Sequence, residues 1–173
     1  MNYDEQIFYA IQGLAGKSRL LDFLGVFFAE QSGYFLVIAV IALIFLMPQW
    51  KERLRFIFFT LLSVIISRGI LIELIRIVYN RPRPFAALEI TPLVNHAYTA
   101  AFPSGHVALY FALAFSVLLI NRRFGYGMIA VATLMGISRI FIGVHWPLDI
   151  VGGALVAFIS FMIVKNIFKT KIV

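Results

Sequence analysis

Two histidines and an aspartate stand at the ends of apolar stretches, at a spacing that suits catalysis. His145 comes just before one such stretch, and Asp149 follows four residues later, about one turn along a helix. A carboxylate at that spacing can accept a hydrogen bond from one ring nitrogen, which fixes the tautomer and leaves the other nitrogen free to attack phosphorus. His106 begins another apolar stretch and is a candidate general acid for the leaving oxygen. The two histidines must work in opposite protonation states, so the pair predicts a bell-shaped pH dependence.

Several residues near these histidines suit the binding of a phosphoryl group. Arg76, Arg83 and Arg139 are candidates for a clamp, because guanidinium groups bind phosphate oxygens through paired hydrogen bonds. Ser104 has the character of a helix N-cap, and Gly105 would let the backbone approach an anion closely. A helix that starts there would also offer its free N–H groups. Together these residues predict phosphate-ester chemistry.

Each of these residues also has an ordinary explanation as a surface charge, a helix start or a first-turn acid. Their grouping at one end of the predicted spans favours function. Three further polar residues are interpreted differently. His96 is interpreted as a surface loop residue, and Glu73 as an orienter of Arg76, three residues away. Arg68 is five residues from Glu73, a poor spacing for an ion pair on a regular helix, so it is assigned only a polar contact within the bundle.

Composition indicates a membrane protein. Of the 173 residues, 62% are hydrophobic and only 13% are charged, and the mean hydropathy is +0.95, whereas a soluble domain is about half apolar. The absence of cysteine excludes disulfides and thiolate metal sites. The net charge of +7 would suggest nucleic acid in a soluble protein. Here basic residues flank apolar stretches, so we expect an anionic substrate and no nucleic-acid partner.

Apolar stretches predict the membrane spans. A span needs roughly 20 apolar residues, and residues 20–29 could extend the first span or form a separate half-span. The predicted spans are 33–47, 54–78, 107–120, 126–144 and 147–167. We therefore predict an all-α, polytopic membrane bundle of five or six transmembrane helices, forming a single domain over residues 1–173. Residues 7–16 are predicted as an interfacial helix, with a disordered tail as the alternative.

The distribution of basic residues predicts the orientation. With five spans, three basic groups fall on one side, and the positive-inside rule makes that side cytoplasmic. The candidate catalytic residues then face the extracytoplasmic side of a cell membrane. The basic residues in question are Lys51, Arg53, Arg55, Arg122, Arg123, Lys165, Lys169 and Lys171.

Three clusters, in this order along the chain, resemble the motifs of the type 2 phosphatidic acid phosphatase (PAP2) superfamily, which also includes vanadium haloperoxidases. The second motif, Pro-Ser-Gly-His, is complete at residues 103–106. The third is also complete, with Ser-Arg at 138–139 followed by His145 and Asp149. The first motif is Lys, six residues, Arg-Pro. It matches at Arg83 and Pro84, while Arg76 replaces the lysine and so keeps the charge with a different donor geometry.

The resemblance implies a PAP2/haloperoxidase-like helical core with its site at the extracytoplasmic helix ends. It implies that His145 is the nucleophile, His106 the acid and Asp149 the orienter. It also implies no catalytic metal and no cofactor, and the sequence offers no cluster at metal-ligand spacing. The phosphate-binding residues that it implies are Arg76, Arg83, Ser104, Gly105 and Arg139.

The small size and the Arg-Pro-Arg-Pro-Phe run at 81–85 are most similar to bacterial undecaprenyl-diphosphate phosphatases of that family. The expected activity is therefore the removal of phosphate from a lipid phosphate or diphosphate. Alternatives are a phosphatidylglycerophosphate or phosphatidate phosphatase, and a lipid phosphotransferase that shares the first step. A non-enzymatic alternative is an anion transporter, although anion passage requires no His–Asp pair.

Overall fold

The architecture is that of a helical membrane bundle. A computed structural model describes residues 2–168, in which all regular secondary structure is helical. Four helices are long and apolar enough to cross a membrane: Arg19–Leu46, Trp50–Val78, Arg122–Phe141 and Pro147–Phe168. A fifth apolar helix, Gly105–Leu118, is shorter. The predicted all-α bundle is confirmed over these residues, while Lys169 and Lys171 lie outside them.

Two of the membrane helices contain a π-helical segment. The elements before residue 80 are α1 (Tyr3–Gln12), α2 (Arg19–Val26), a π segment (Phe27–Gln31), α3 (Ser32–Leu46), α4 (Trp50–Val64), a second π segment (Ile65–Leu71) and α5 (Ile72–Val78). After them come α6 (Pro84–Ala87), α7 (Gly105–Leu118), α8 (Arg122–Phe141) and α9 (Pro147–Phe168). Residues 20–29 are continuous with the first membrane helix, so a separate half-span is wrong.

Helix α7 forms the centre of the bundle and packs against α4, α8 and α9. Small residues allow this close packing, as is usual between helices in lipid, where apolar burial alone gives little drive for association. Large apolar side chains on α3 and α9 point outward, as a lipid-facing surface requires. The buried small residues on the packed faces include Ala108, Ala112, Ala114, Gly136, Gly152 and Gly153.

The N-terminal helix α1 lies against the end of the bundle where α8 ends and α9 begins. A reciprocal capping box of Asn2 and Glu5 starts the helix. Phe8 is fully buried, and its ring centroid lies 5.0 Å from that of Trp146. The segment is helical over Tyr3–Gln12, which begins and ends four residues before the predicted helix, so the disordered alternative is wrong. Its location at the membrane interface stays a prediction.

The contact between α7 and α9 yields a test of the packing. A Cβ atom on Gly153 would lie 2.6 Å from the main-chain oxygen of Ser104 and 3.0 Å from Cβ of Val107. We expect Gly153→Ala to lower the free energy of unfolding by about 1–3 kcal/mol, because backbone must shift. Thermal unfolding in detergent measures the effect. Gly127→Ala in α8 is the matched control, since nothing lies within 4 Å of its added Cβ. Equal stability of the two variants would contradict the close packing.

Candidate active site

The three sequence clusters meet at one end of the bundle. Nη2 of Arg76 donates to the carbonyl oxygen of Pro103 at 3.1 Å, which joins the first cluster to the second. The main-chain N–H of Ser104 donates to the main-chain oxygen of Asp149 at 2.9 Å, which joins the second to the third. Nη1 of Arg83 lies 3.3 Å from Nε2 of His145, which joins the first to the third. Alternating helix direction thus brings together residues that are distant in sequence.

His145 and Asp149 form a buried pair at the start of α9. Nδ1 of His145 lies 3.2 Å from Oδ2 of Asp149, and both side chains are almost completely buried. The same carboxylate oxygen accepts a hydrogen bond from the main-chain N–H of Trp146 at 2.8 Å. Helix α9 begins at Pro147, as predicted, because proline is favoured in the first turn of a helix. The helix start therefore holds the carboxylate against the ring.

The contacts of His145 define its tautomer. A guanidinium group can only donate, so Nε2 of His145 accepts from Nη1 of Arg83. The proton of the neutral ring is then on Nδ1, which donates to Asp149. This tautomer has its lone pair on Nε2, the nitrogen directed toward the arginine cluster. It is the tautomer that a histidine nucleophile requires.

Burial keeps His145 neutral. Burial lowers the pKa of His145 well below its ordinary value, and the positive charges of Arg139 and Arg83 lower it further. The ring is therefore uncharged at neutral pH and carries its single proton on Nδ1.

Arg83 is held by oxygen atoms of the loop. Its Nε donates to the carbonyl oxygen of Thr99 at 3.0 Å, its Nη2 to the hydroxyl of Thr99 at 3.1 Å, and its Nη1 to the carbonyl oxygen of Val144 at 3.1 Å. Burial lowers the pKa of Arg83 to about 10, and the neighbouring charges of Arg139 and Arg76 act in the same direction. The guanidinium group remains charged at neutral pH and adds to a strongly positive environment.

Arg139, at the end of α8, is the largest fully buried side chain in the described part of the protein. Its Nη1 donates to the carbonyl oxygen of Ala29 at 3.1 Å and approaches Oε1 of Glu30 at 3.4 Å. Both partners lie in the π segment of the first membrane helix, and such segments are frequent at functional sites. The first membrane helix therefore contributes directly to the site.

His96 also belongs to this cluster, so its interpretation as a surface residue is wrong. Its Nε2 lies 3.1 Å from Nη2 of Arg139, and its ring is half-buried. Burial lowers the pKa of His96 to about 4, with a further contribution from the charge of Arg83. The neutral ring accepts from Arg139 through Nε2. No periodicity in the loop around residue 96 indicated this contact.

Three buried polar atoms near the start of α7 and the end of α8 have no hydrogen-bond partner: the hydroxyl of Ser104, Nε of Arg76 and Nε of Arg139. Ser104 occupies the predicted N-cap position, yet its hydroxyl makes no capping bond. Buried polar groups are usually satisfied. Ser104 lies at the N-terminus of α7, where main-chain N–H groups are free, and an oxyanion is the kind of group that could satisfy such atoms.

Arg68 and Glu73 form the ion pair that the sequence interpretation judged imperfect. Nη1 of Arg68 lies 2.5 Å from Oε1 of Glu73. The π segment Ile65–Leu71 explains the difference, because its wider turn brings positions five apart onto one face. The expected pairing of Glu73 with Arg76 is present at 3.5 Å. A Cβ atom on Gly105 would lie 2.6 Å from Nε of Arg68, so Arg68 packs directly over that glycine.

His106 lies in the first turn of α7 and keeps some contact with solvent. Partial burial and the charge of Arg139, with smaller effects of Arg68 and Arg83, lower its pKa to about 3. His106 is therefore part of the same electrostatic environment. Within residues 2–168, no group of three or more His, Cys, Asp or Glu side chains could hold a metal ion.

Sequence reasoning missed Arg81 as well as His96. Nη1 of Arg81 donates to Oδ1 of Asp149 at 3.1 Å, and its Nη2 pairs with Asp4 of α1. The Arg-Pro-Arg-Pro run was a signal for a second cation, but the family motif drew attention to Arg83 alone. The contact with Asp4 joins residues 77 positions apart, so no local pattern indicates it.

Comparisons with known proteins agree with this geometry. The PAP2 superfamily model matches residues 56–172. Undecaprenyl-diphosphatase BcrC of Bacillus subtilis is 34% identical over 160 residues, which are 92% of this chain and 80% of that protein. An undecaprenyl-diphosphatase of Sulfolobus acidocaldarius is 32% identical over 84% of this chain and 70% of its own.

Two crystal structures share the fold. LpxE of Aquifex aeolicus superposes with a TM-score of 0.79 at 27% identity, over 96% of each chain. A transmembrane PAP2-type phosphatidylglycerolphosphate phosphatase of Bacillus subtilis gives 0.68 at 23% identity, over 96% of this chain and 84% of that one. With the motif residues gathered at one end of a matching membrane bundle, this chain belongs to the PAP2 superfamily and is a lipid phosphatase embedded in the membrane.

Proposed function

We propose that this protein removes a phosphate from a lipid diphosphate through a phosphohistidine at His145. The observation that carries the proposal is the fixed tautomer of His145, whose Nε2 lone pair points at Arg83 while Nδ1 is bound to Asp149. A ring held in this state can attack phosphorus without first losing a proton.

In the first step, Nε2 of His145 forms a bond to phosphorus, and the bond from phosphorus to the leaving oxygen breaks. His106, whose protonated form the bound phosphoryl charge favours, gives its proton to that oxygen. Arg76, Arg83 and Arg139 bind the phosphoryl oxygens, together with Ser104 and the N–H groups at Gly105. Arg83 exchanges its bond to Nε2 for one to the phosphate, which frees the lone pair as the substrate binds.

In the second step, water attacks phosphorus and the nitrogen–phosphorus bond breaks, which releases inorganic phosphate. His106, now unprotonated, takes the proton from the water and returns to its starting state. Asp149 stabilises the positive charge that develops on the His145 ring, because its Oδ2 already bonds to Nδ1. The protein's own cations supply the charge stabilisation in this scheme, and activity in the presence of a chelator would support it.

Undecaprenyl diphosphate is the proposed substrate, and cell-wall biogenesis the proposed role. Relatives that cover most of this chain carry the name undecaprenyl-diphosphatase. Phosphatidylglycerophosphate is the second candidate, since a phosphatidylglycerophosphatase B of Bacillus subtilis is 35% identical over 54% of the chain. A phosphate-release assay in detergent over both lipids and phosphatidate distinguishes them.

We further propose that the site faces the outside of the cell membrane. Helix directions put six basic residues at the end opposite the site: Lys51, Arg53, Arg55, Arg122, Arg123 and Lys165. Among the described residues, only Lys17 and Arg19 are basic residues at the site end that lie away from the catalytic cluster. The positive-inside rule favours a cytoplasmic position for the basic end.

Labelling with radioactive phosphate tests the nucleophile. The wild-type protein, quenched during turnover of a lipid diphosphate labelled in its terminal phosphate, should carry acid-labile, base-stable label. His145→Ala should carry none and should lose at least about 1,000-fold in kcat. Because the chain has only three histidines, His96→Ala serves as the comparison and should still become labelled. Label or turnover persisting in His145→Ala would overturn the mechanism.

The pKa of His145 predicts the acid side of the pH profile. Burial and the neighbouring arginines lower this pKa below about 6.5. As pH falls through the lowered pKa, the ring becomes protonated and the nucleophile is lost, so kcat/KM should fall only well below that value. On the basic side, loss of the proton of His106 from the enzyme–substrate complex should lower kcat, because the bound phosphate offsets the arginine charges that lower the pKa of His106 in the free enzyme. A profile measured from about pH 4 to 9 that is flat, or whose acid midpoint lies above about 6.5, would contradict the pair.

The absence of cysteine allows a direct test of orientation. Thr91→Cys lies in the loop beside the site, and Gln49→Cys lies between the first and second membrane helices at the other end. In intact bacterial cells, a membrane-impermeant maleimide should label Thr91→Cys only. Gln49→Cys should become labelled after the membrane is opened. The reverse pattern would place the site on the cytoplasmic side.

A further inference from the structure

Asp4, in the first turn of α1, is a buried carboxylate beside the catalytic pair. Its side chain is only 5% exposed. Oδ1 accepts a hydrogen bond from the main-chain N–H of Leu148 at 2.8 Å, in the first turn of α9. Oδ2 pairs with Nη2 of Arg81. Both oxygens of Asp4 therefore bind groups that lie next to Asp149.

Arg81 connects Asp4 to Asp149. Its Nη1 donates to Oδ1 of Asp149 at 3.1 Å, while its Nη2 binds Asp4. Its guanidinium group also lies 5.1 Å from the centroid of the Trp146 ring, within the range of a cation–π contact. The arginine is thus fixed on three sides.

The two oxygens of Asp149 have separate tasks. Oδ2 binds Nδ1 of His145 and the main-chain N–H of Trp146, and Oδ1 binds Arg81. A carboxylate held through both oxygens cannot rotate away from the ring. A completely buried carboxylate also needs a nearby cation to remain ionised, and Arg81 is the cation bonded to it.

Several features direct Asp4 toward this position. The capping box of Asn2 and Glu5 fixes where α1 begins, and Phe8 packs on Trp146 one turn further along the same face. Helix α1 lies before residue 56, where the match to the family begins. Asp4 therefore lies outside the family motifs and adds a contact to the residues that those motifs contain.

We propose that Asp4 is a positioning residue of the active site, which holds Arg81 so that Arg81 fixes Asp149 against His145. The proposal rests on the proposed role of His145 as nucleophile. Asp4 would not touch the substrate, so its loss should lower kcat and leave KM nearly unchanged.

A double-mutant cycle tests this chain of contacts, with farnesyl diphosphate in detergent micelles as the probe. Asp4→Asn keeps an oxygen for the N–H of Leu148 and removes the charge that holds Arg81. We expect it to lower kcat about 10-fold, a typical effect for a residue that orients a catalytic group through another. Arg81→Met should lower kcat at least as much. The double variant should match Arg81→Met, because Asp4 acts only through Arg81.

Two further variants separate positioning from folding. Glu5→Gln removes a neighbouring charge in the same helix, preserves the capping box and should leave kcat unchanged. Asp4→Glu restores the charge and should recover part of the activity lost in Asp4→Asn. This comparison holds even if Asp4→Asn unfolds at a lower temperature, which thermal unfolding in detergent would reveal.

Wild-type kcat in Asp4→Asn, or the same fold-loss on adding Asp4→Asn to Arg81→Met, would overturn the inference. Failure of the proposed function gives a different result, because the wild-type protein itself would then carry no phosphate label.

Discussion

The concentration of guanidinium groups at one end of a membrane bundle is the constraint on which the site depends. Arg83 and Arg139 are almost completely buried, and carbonyl oxygens provide many of their hydrogen bonds. A carbonyl satisfies a donor without cancelling its charge, so the pocket remains positive. Burial in low dielectric makes that charge costly until an anion arrives. Arg76 and Arg139 have unsatisfied donors and the hydroxyl of Ser104 has no partner, and the proposed phosphoryl group would satisfy these atoms.

Two π segments in the membrane helices place acceptors and carboxylates next to the arginine cluster. In the first, Ala29 and Glu30 meet Arg139. In the second, the wider turn lets Arg68 pair with Glu73, which also contacts Arg76. Intramembrane charges are tolerated when they pair or face a polar interior. The carboxylates of Glu30 and Glu73 hold arginines from the rim of the cluster, so the positive charge at its centre is preserved for the substrate.

Sequence patterns predicted the features that depend on residues close together in the chain. Apolar runs gave the spans, Pro147 gave the start of α9, and the four-residue spacing gave the His145–Asp149 contact. The π segments were not predictable, because no residue type in Ile65–Leu71 marks the extra residue per turn. His96 lies in a loop without periodicity, and its contact with Arg139 depends on how that loop folds over the helix ends. Asp4 and Asp149 share Arg81 only because α1 packs across the start of α9.

The position of Arg83 links substrate binding to nucleophile activation. Its Nη1 is shared between Nε2 of His145 and the carbonyl oxygen of Val144. In the proposed mechanism, this contact covers the lone pair that attacks phosphorus. A phosphoryl group offers that donor a charged acceptor, which is stronger than a neutral ring nitrogen. We therefore propose that binding draws the guanidinium group from the ring and exposes Nε2 to phosphorus, while Asp149 continues to hold the opposite side of the ring. A neutral ligand cannot make this exchange with equal strength, so selectivity for a phosphate and readiness to react have the same physical origin.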